Sequence, residues 1–204
     1  TDLAPLPSDL QALFIGGISL VAEPCGTTVE TLAARAAEQG VPVMLDPNVR
    51  PFFIADEAAY RARLDRLLGL SAIVKLSADD CAWLWPGADR DRIARDLLSR
   101  GARLVLVTSG AEGALAFTPR HRAEASAAEV TVADTIGAGD TFNAGILDAL
   151  SRAGALNRLD DLDEPTLAAA LRHAARAAAV TVSTSPRIRM ARAPSSRAAR
   201  VLFL

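Results

Sequence analysis

The sequence predicts an α/β fold on a mostly parallel sheet, and three observations carry that prediction. Short apolar runs recur along the chain, each followed by a segment whose apolar residues return at helical spacing. Half of the 204 residues are hydrophobic but only 4% are aromatic, and Ala and Leu dominate, as in helix-rich α/β proteins. A Gly-rich turn with an acidic residue, Gly137-Ala138-Gly139-Asp140, stands where a strand hands over to a helix. The repeated βα order argues for parallel strands with helices on both faces.

The elements follow in order. Ala12 to Ile15 is a buried strand ending at Gly16-Gly17. Thr27 or Thr28 caps a helix that runs to about Gln39, where Gly40 stops it. Val41 to Leu45 is the next strand, with Pro42 near its beginning, and a polar helix runs from about Asp56 to Leu68. Ala72 to Lys75 is a third strand, followed by helices over Ser77–Leu84 and Asp89–Ser99. Leu104 to Val107 is the most β-like segment, with Ala114–Phe117 its expected hairpin partner across Gly110–Gly113. Val130 to Val132 is a short strand, and helices over Ala138–Arg152 and Pro165–Ser183 close the pattern. With no internal repeat and no clear linker, residues 1–204 read as one domain.

Composition excludes several function classes. A formal charge of −2 gives no support for nucleic acid or a membrane surface as partner. Cys25 and Cys81 form neither a CxxC pair nor a disulfide framework, so a cytoplasmic, reducing setting is expected. His121 and His173 have no neighbouring ligand set for a transition metal. Leu13 to Ala22 is apolar but too short to span a bilayer, and no basic segment precedes it as in a signal peptide.

The chemistry is concentrated at strand ends. A helix starting near Gly137 brings free backbone N–H groups and the positive end of its dipole to one point, which suits a phosphate. Glycine allows close approach of the main chain to that anion. Asp140, in the first turn, could take a proton from an alcohol attacking phosphorus. Such turns often serve only as turn and cap. The nine-residue string Asp134-Thr135-Ile136-Gly137-Ala138-Gly139-Asp140-Thr141-Phe142, however, closely resembles the second signature of the ribokinase-like (PfkB) family of sugar kinases. The resemblance implies a ribokinase-like three-layer αβα fold, ATP as phosphoryl donor and Mg²⁺ as its metal. It carries Gly137, Ala138 and Gly139 over as anion-hole donors and Asp140 as catalytic base.

Three further motifs appear in the family's order. Asp46-Pro47-Asn48-Val49-Arg50 resembles the Asp-x-Asn-x-Arg segment of the fructokinase-like and 2-keto-3-deoxygluconate-kinase-like branch. On that resemblance Asn48 and Arg50 are substrate-side residues, although a Pro-flanked polar turn with a solvated Arg is the plain alternative. Lys75-Leu76-Ser77-Ala78-Asp79-Asp80 stands where many members have Asn-x-x-Glu beside the phosphates. This implies Lys75 and Ser77 on the nucleotide side and Asp80 holding Mg²⁺ through water, which tolerates a carboxylate one methylene shorter than Glu. The same residues also read as an N-cap followed by first-turn acids. Thr108-Ser109-Gly110-Ala111-Glu112-Gly113 matches the family's Thr-x-Gly-x-x-Gly turn, which implies Thr108, Gly110 and Gly113 beside the nucleotide. Neither a P-loop nor a dinucleotide fingerprint occurs.

The resemblance spans about Leu13 to Ser183. The N-terminal strands and sugar lid of full members are absent, so the chain is expected to be the nucleotide-side portion of such a kinase. After Ser183 the family's Gly-Ala turn over the adenine, and in some members over a monovalent cation, is replaced by an Arg/Ala-rich tail from 185 to 204. The expected function is transfer of the γ-phosphoryl group of ATP to a primary hydroxyl of a small sugar, fructose-like, or a sugar acid. The alternative is a non-catalytic, nucleotide-binding remnant of the same family. An open sheet edge would invite a second copy as partner in a homodimer.

Overall fold

The structure, a computed structural model, describes residues 3–127, 134–183 and 200–204. The strand expected over Val130–Val132, and the tail apart from its last five residues, lie outside the described residues. In chain order the elements are β1 (Ala12–Gly16), α1 (Cys25–Glu38), β2 (Val43–Asp46), α2 (Glu57–Leu70), β3 (Ile73–Ser77), α3 (Ala78–Leu84) and α4 (Arg90–Ser99). They continue as β4 (Leu104–Thr108), β5 (Ala114–Phe117), β6 (Arg122–Ala125), α5 (Ala138–Arg152), α6 (Glu164–Ser183) and β7 (Val201–Phe203). They divide into two compact units, one running to Val107 and rejoined by Arg200–Leu204, the other beginning at Thr108.

The first unit is a βα series on a sheet with strand order β4-β3-β2-β1-β7. β1 pairs in parallel with β2 (Leu13 with Val43, Gly16 with Asp46), and β2 with β3 (Met44 with Ile73, Leu45 with Val74). Arg103 and Leu104 donate to the carbonyl of Ala72, which sets the starts of β4 and β3 side by side and hence in the same direction. Strands with neighbours on both edges and cover on both faces favour continuous apolar runs. Leu13, Ile15, Met44, Leu45, Ile73, Leu76 and Leu104 are accordingly almost fully buried, together with Leu64, Leu67, Ile93 and Leu97 of the helices.

Local capping explains where these helices begin. Asp56 accepts from the amide of Ala59 at 2.9 Å, and Asp89 from that of Arg92 at 2.7 Å. Ser77 caps α3, as the sequence predicts. α1 differs. It starts at Cys25 behind Pro24, so Thr27 and Thr28 lie inside its first turn, where the Thr28 hydroxyl donates back to the Pro24 carbonyl at 2.9 Å.

In the second unit β5 closes an antiparallel hairpin with β6, pairing Ala114 with Ala125 and Phe117 with Arg122. β6 is a strand the sequence reading did not predict: exposed Arg122 and Glu124 alternate with buried Ala123 and Ala125. α5 and α6 pack on each other, and Phe142, Ile146 and Leu150 of the one and Leu167, Leu171 and Ala174 of the other are buried. Their approach is close at Gly145, where an added Cβ would lie 2.8 Å from the Ala174 Cα.

Candidate active site

The residues singled out by sequence fall into one group in each unit. In the first unit they lie at the carboxyl ends of β2 and β3. One step beyond the Leu45–Val74 register, Asp46 stands beside Lys75, and the Lys75 ammonium lies 3.0 Å from Asp46 Oδ2. Both are buried, at 4% and 2% exposure. Lys75, expected beside the nucleotide, therefore has its charge engaged inside the unit.

Asp80 is turned inward as well, with 1% exposure. Its Oδ1 accepts from the Val49 amide at 2.7 Å, and its Oδ2 accepts from the Ser77 amide at 2.8 Å and the Ser77 hydroxyl at 2.6 Å. The Asp80 amide donates in turn to Ser77 Oγ at 3.0 Å, completing a capping box. A carboxylate holding a Mg²⁺ hydration shell needs an oxygen open to water, and this one has three protein donors and almost no exposed surface. It does not fit the role the resemblance implies. Its charge nonetheless acts on its neighbours. Burial, and then Asp80, push the Cys81 thiol up to about 11 and the Tyr60 phenol up to about 12.

Asn48 and Arg50 follow on the loop after β2. Asn48 is half-buried with φ 40°, the non-glycine residue of positive φ among those described. Arg50 is exposed, and its guanidinium donates to the carbonyls of Asn48 and Val49 at 3.3 and 3.0 Å. On the other side of the loop, a Cβ at Gly17 would lie 1.5 Å from the Pro47 carbonyl oxygen, so only glycine admits this approach.

The second unit holds the turn after β4 and the start of α5. Thr108 is half-buried, and Gly110 and Gly113 have φ of 53° and 97°. A Cβ at Gly113 would also meet the Ala125 carbonyl at 2.2 Å, so this glycine is required twice over. The Ser109 amide donates to the Gly113 carbonyl at 2.9 Å and closes the turn.

Gly137 precedes α5 in the left-handed region, φ 78°. The helical ladder begins with the Thr141 amide donating to the Gly137 carbonyl at 2.9 Å. The amides of Gly139 and Asp140 stand before that first bond and have no intrahelical acceptor. The Ala138 amide turns back to the Thr135 carbonyl at 3.3 Å. Asp140 itself is exposed. Thr141 Oγ1 donates to the Gly137 carbonyl at 2.9 Å and lies 2.9 Å from Thr181 Oγ1, which ties the turn to α6. The Asp134 amide donates to the Val182 carbonyl at 3.2 Å and fixes the approach to the turn.

Among the described residues no three His, Cys, Asp or Glu side chains are grouped to hold a metal. A cleft of about 620 Å³ in the second unit is lined by Glu124, Ser126, Arg172 and Arg176 and includes none of the expected site residues. The bond from Val49 to Asp80 and the ion pair of Asp46 with Lys75 were missed by sequence reasoning. Each joins residues about 30 positions apart; Asp46 and Lys75 meet because β2 and β3 are parallel neighbours, and Val49 and Asp80 meet on the loop and helix that follow those strands.

The model of the pfkB family carbohydrate kinases matches residues 2–191. A fructokinase of Rhizobium leguminosarum bv. trifolii is 44% identical over 168 residues, 81% of this chain and 51% of that protein. A probable chloroplastic fructokinase of Arabidopsis thaliana is 36% identical over 82% of this chain and 43% of its own length. The chain thus spans about half the length of the curated relatives it matches. Among solved structures, a fructokinase double mutant of Vibrio cholerae O395 in fructose, ADP and potassium ion bound form superposes with a TM-score of 0.77 at 27% identity. That match covers 88% of this chain and 57% of the other. An aminoimidazole riboside kinase of Salmonella enterica, complexed with aminoimidazole riboside and an ATP analog, gives 0.74 at 28% identity over 88% and 59%. The fold is that of these α/β kinases, and with the glycine turn, the exposed Asp140 and the family match over most of its length, the chain belongs to the pfkB family of carbohydrate kinases.

Proposed function

We propose that the protein of which this chain is the matching portion transfers the γ-phosphoryl group of ATP to a primary hydroxyl of a small sugar. A fructose-like sugar is favoured by the fructokinases among its relatives, with a sugar acid as the related choice. The observation that carries the reading is the first turn of α5, where an exposed carboxylate stands beside backbone N–H groups that the helix cannot satisfy. Asp140 accepts the proton of the attacking hydroxyl. The amides from Gly137 to Asp140 hold the charge that spreads over the transferring phosphoryl oxygens, with those of Gly139 and Asp140 the least engaged. Thr108, Gly110 and Gly113 serve the nucleotide, and Asn48 and Arg50 the sugar side, where a planar guanidinium suits phosphate or carboxylate. A Mg²⁺ bound with the triphosphate would offset part of its charge. Asp80 takes no part in a step with it.

Calorimetric titration of Mg·ATP into the chain, followed by turnover of fructose and 2-keto-3-deoxygluconate, tests this. Asp140→Asn is expected to leave nucleotide binding nearly unchanged and to lower turnover at least ~10²-fold. Near-normal turnover in that variant would remove Asp140 from its role. A second reading is a nucleotide-binding module without turnover of its own. Saturable binding of Mg·ATP with no phosphorylation of either sugar would select it.

A further inference from the structure

We infer that Asp80 is a positioning residue, whose buried carboxylate sets the backbone of the Asp46–Arg50 loop instead of holding water around a metal. The importance of that loop rests on the sugar-kinase reading above; the geometry of the strut does not.

The loop is gripped at three points. At its base the Asp46 carboxylate is bound to the Lys75 ammonium. On one flank the Pro47 carbonyl lies against Gly17, too close for any side chain there. On the other, the Val49 amide donates to Asp80 Oδ1 at 2.7 Å, a charge-assisted bond with almost no access to water. Between the last two points sits Asn48 at φ 40°, a left-handed turn that Asn adopts more readily than most residues. Beyond them Arg50 leaves the loop exposed, its guanidinium folded onto the carbonyls of Asn48 and Val49. Releasing Val49 would free the backbone that holds both substrate-side residues.

Side-chain length makes the inference specific. Asp80 reaches Ser77 through Oδ2 and Val49 through Oδ1 at once. A Glu is one methylene longer and could not keep both at these distances. The two roles therefore predict opposite behaviour for Asp80→Glu. If the carboxylate held a metal hydration shell, Glu would serve as well or better; if it is a strut, Glu fails.

The test is residue-resolved amide exchange across residues 47–51 in the full chain, beside calorimetric titrations of ATP at varied Mg²⁺. In the original protein the Val49 amide should be protected. In Asp80→Glu and Asp80→Ala, exchange at Val49 and Arg50 should rise about tenfold or more, as expected for loss of a charge-assisted bond. The rest of β2 and β3 should keep its protection, and the Mg²⁺ midpoint for ATP binding should move less than about twofold. Asp80→Asn, which retains one oxygen toward Val49, serves if the Ala variant does not fold, and should give an intermediate rise. Unchanged Val49 exchange in these variants would overturn the inference. So would a tenfold shift of the Mg²⁺ midpoint in Asp80→Ala that Asp80→Glu restores. A chain that binds no ATP at all would count against the proposed function, while the exchange result would still decide the strut.

Discussion

At the scale of single residues, the first unit keeps two carboxylates in its interior, Asp46 paired with Lys75 and Asp80 held by three donors. A buried ion pair adds little over an apolar replacement of both partners, but breaking one side leaves an uncompensated charge. Lys75→Ala is therefore expected to destabilise the chain by about 3–5 kcal/mol, read as a lower midpoint in urea. Lys75→Met with Asp46→Leu should recover much of that loss. A Lys75→Ala chain with the parent's urea midpoint would show that the pair is not what occupies Lys75. The thiols give a second prediction. Cys81 is buried beside Asp80 and its thiol is pushed up to about 11, whereas Cys25 is exposed. Iodoacetamide at pH 8 should label Cys25 in the folded chain and leave Cys81 until urea is added. The sign of the pH dependence follows from the same shift. A thiol and a phenol raised above their ordinary values hold protons in the folded state that the unfolded chain releases. Stability from both is intact below about pH 9 and falls as pH rises through the folded values, which urea midpoints from pH 8 to 11 would record. A midpoint that rises over that range would contradict the burial of both groups.

At the scale of elements, most of what the sequence predicted rests on signals confined to a few neighbouring residues. Asp56, Ser77 and Asp89 cap their helices because each places an oxygen opposite an amide three residues on. Asp56→Ala should cost α2 about 1 kcal/mol, measured as a shift of the urea midpoint. α5 was legible over its whole span, since the glycine turn marks its start and Phe142, Ile146 and Leu150 its buried stripe. What stayed hidden depended on partners distant in the chain. β6 pairs alanines with alanines, and Ala123 and Ala125 carry almost no strand signal until Ala116 and Ala114 stand opposite. Likewise Asp80 reads from its neighbours as a first-turn acid, and only the arrival of Val49 from 31 positions away shows what its second oxygen does. Gly145 belongs to the same class. Gly145→Val, harmless in an isolated helix, should separate α5 from α6, because even a Cβ would sit 2.8 Å from the Ala174 Cα. A thermal midpoint unchanged by that substitution would mean that the helices do not cross at this point.

At the scale of the whole molecule, the chain sustains two compact units while spanning about half the length of its relatives. Part of the explanation in the first unit is β7. The Arg/Ala-rich composition before it gives no hint of a strand, and Val201-Leu202-Phe203 is too short to stand out on periodicity. Yet these residues pair in parallel with Ala12-Leu13-Phe14 and cover the outer edge of β1. The Gln11 and Gly16 amides donate to the carbonyls of Arg200 and Leu204 at 2.9 Å each, and the Leu204 amide returns a bond to Phe14 at 3.0 Å. Phe203 meets Phe14 with ring centroids 5.3 Å apart, and Arg200 reaches Asp9 at 2.8 Å. Without this cover, β1 would present a hydrophobic strand with a bare edge, the usual template for edge-to-edge association. A chain ending at residue 199 is therefore expected to lose at least about 1 kcal/mol from the aromatic pair alone, about 2–4 °C in thermal midpoint. It should also shift toward larger species on size exclusion as concentration rises. Phe203→Ser, which keeps the backbone pairing, should lower the midpoint while leaving the elution volume unchanged. That split between the two variants separates the edge-covering role of the strand from the packing of its side chain. A truncated chain with the parent's midpoint and elution volume would show that β7 is not what covers β1.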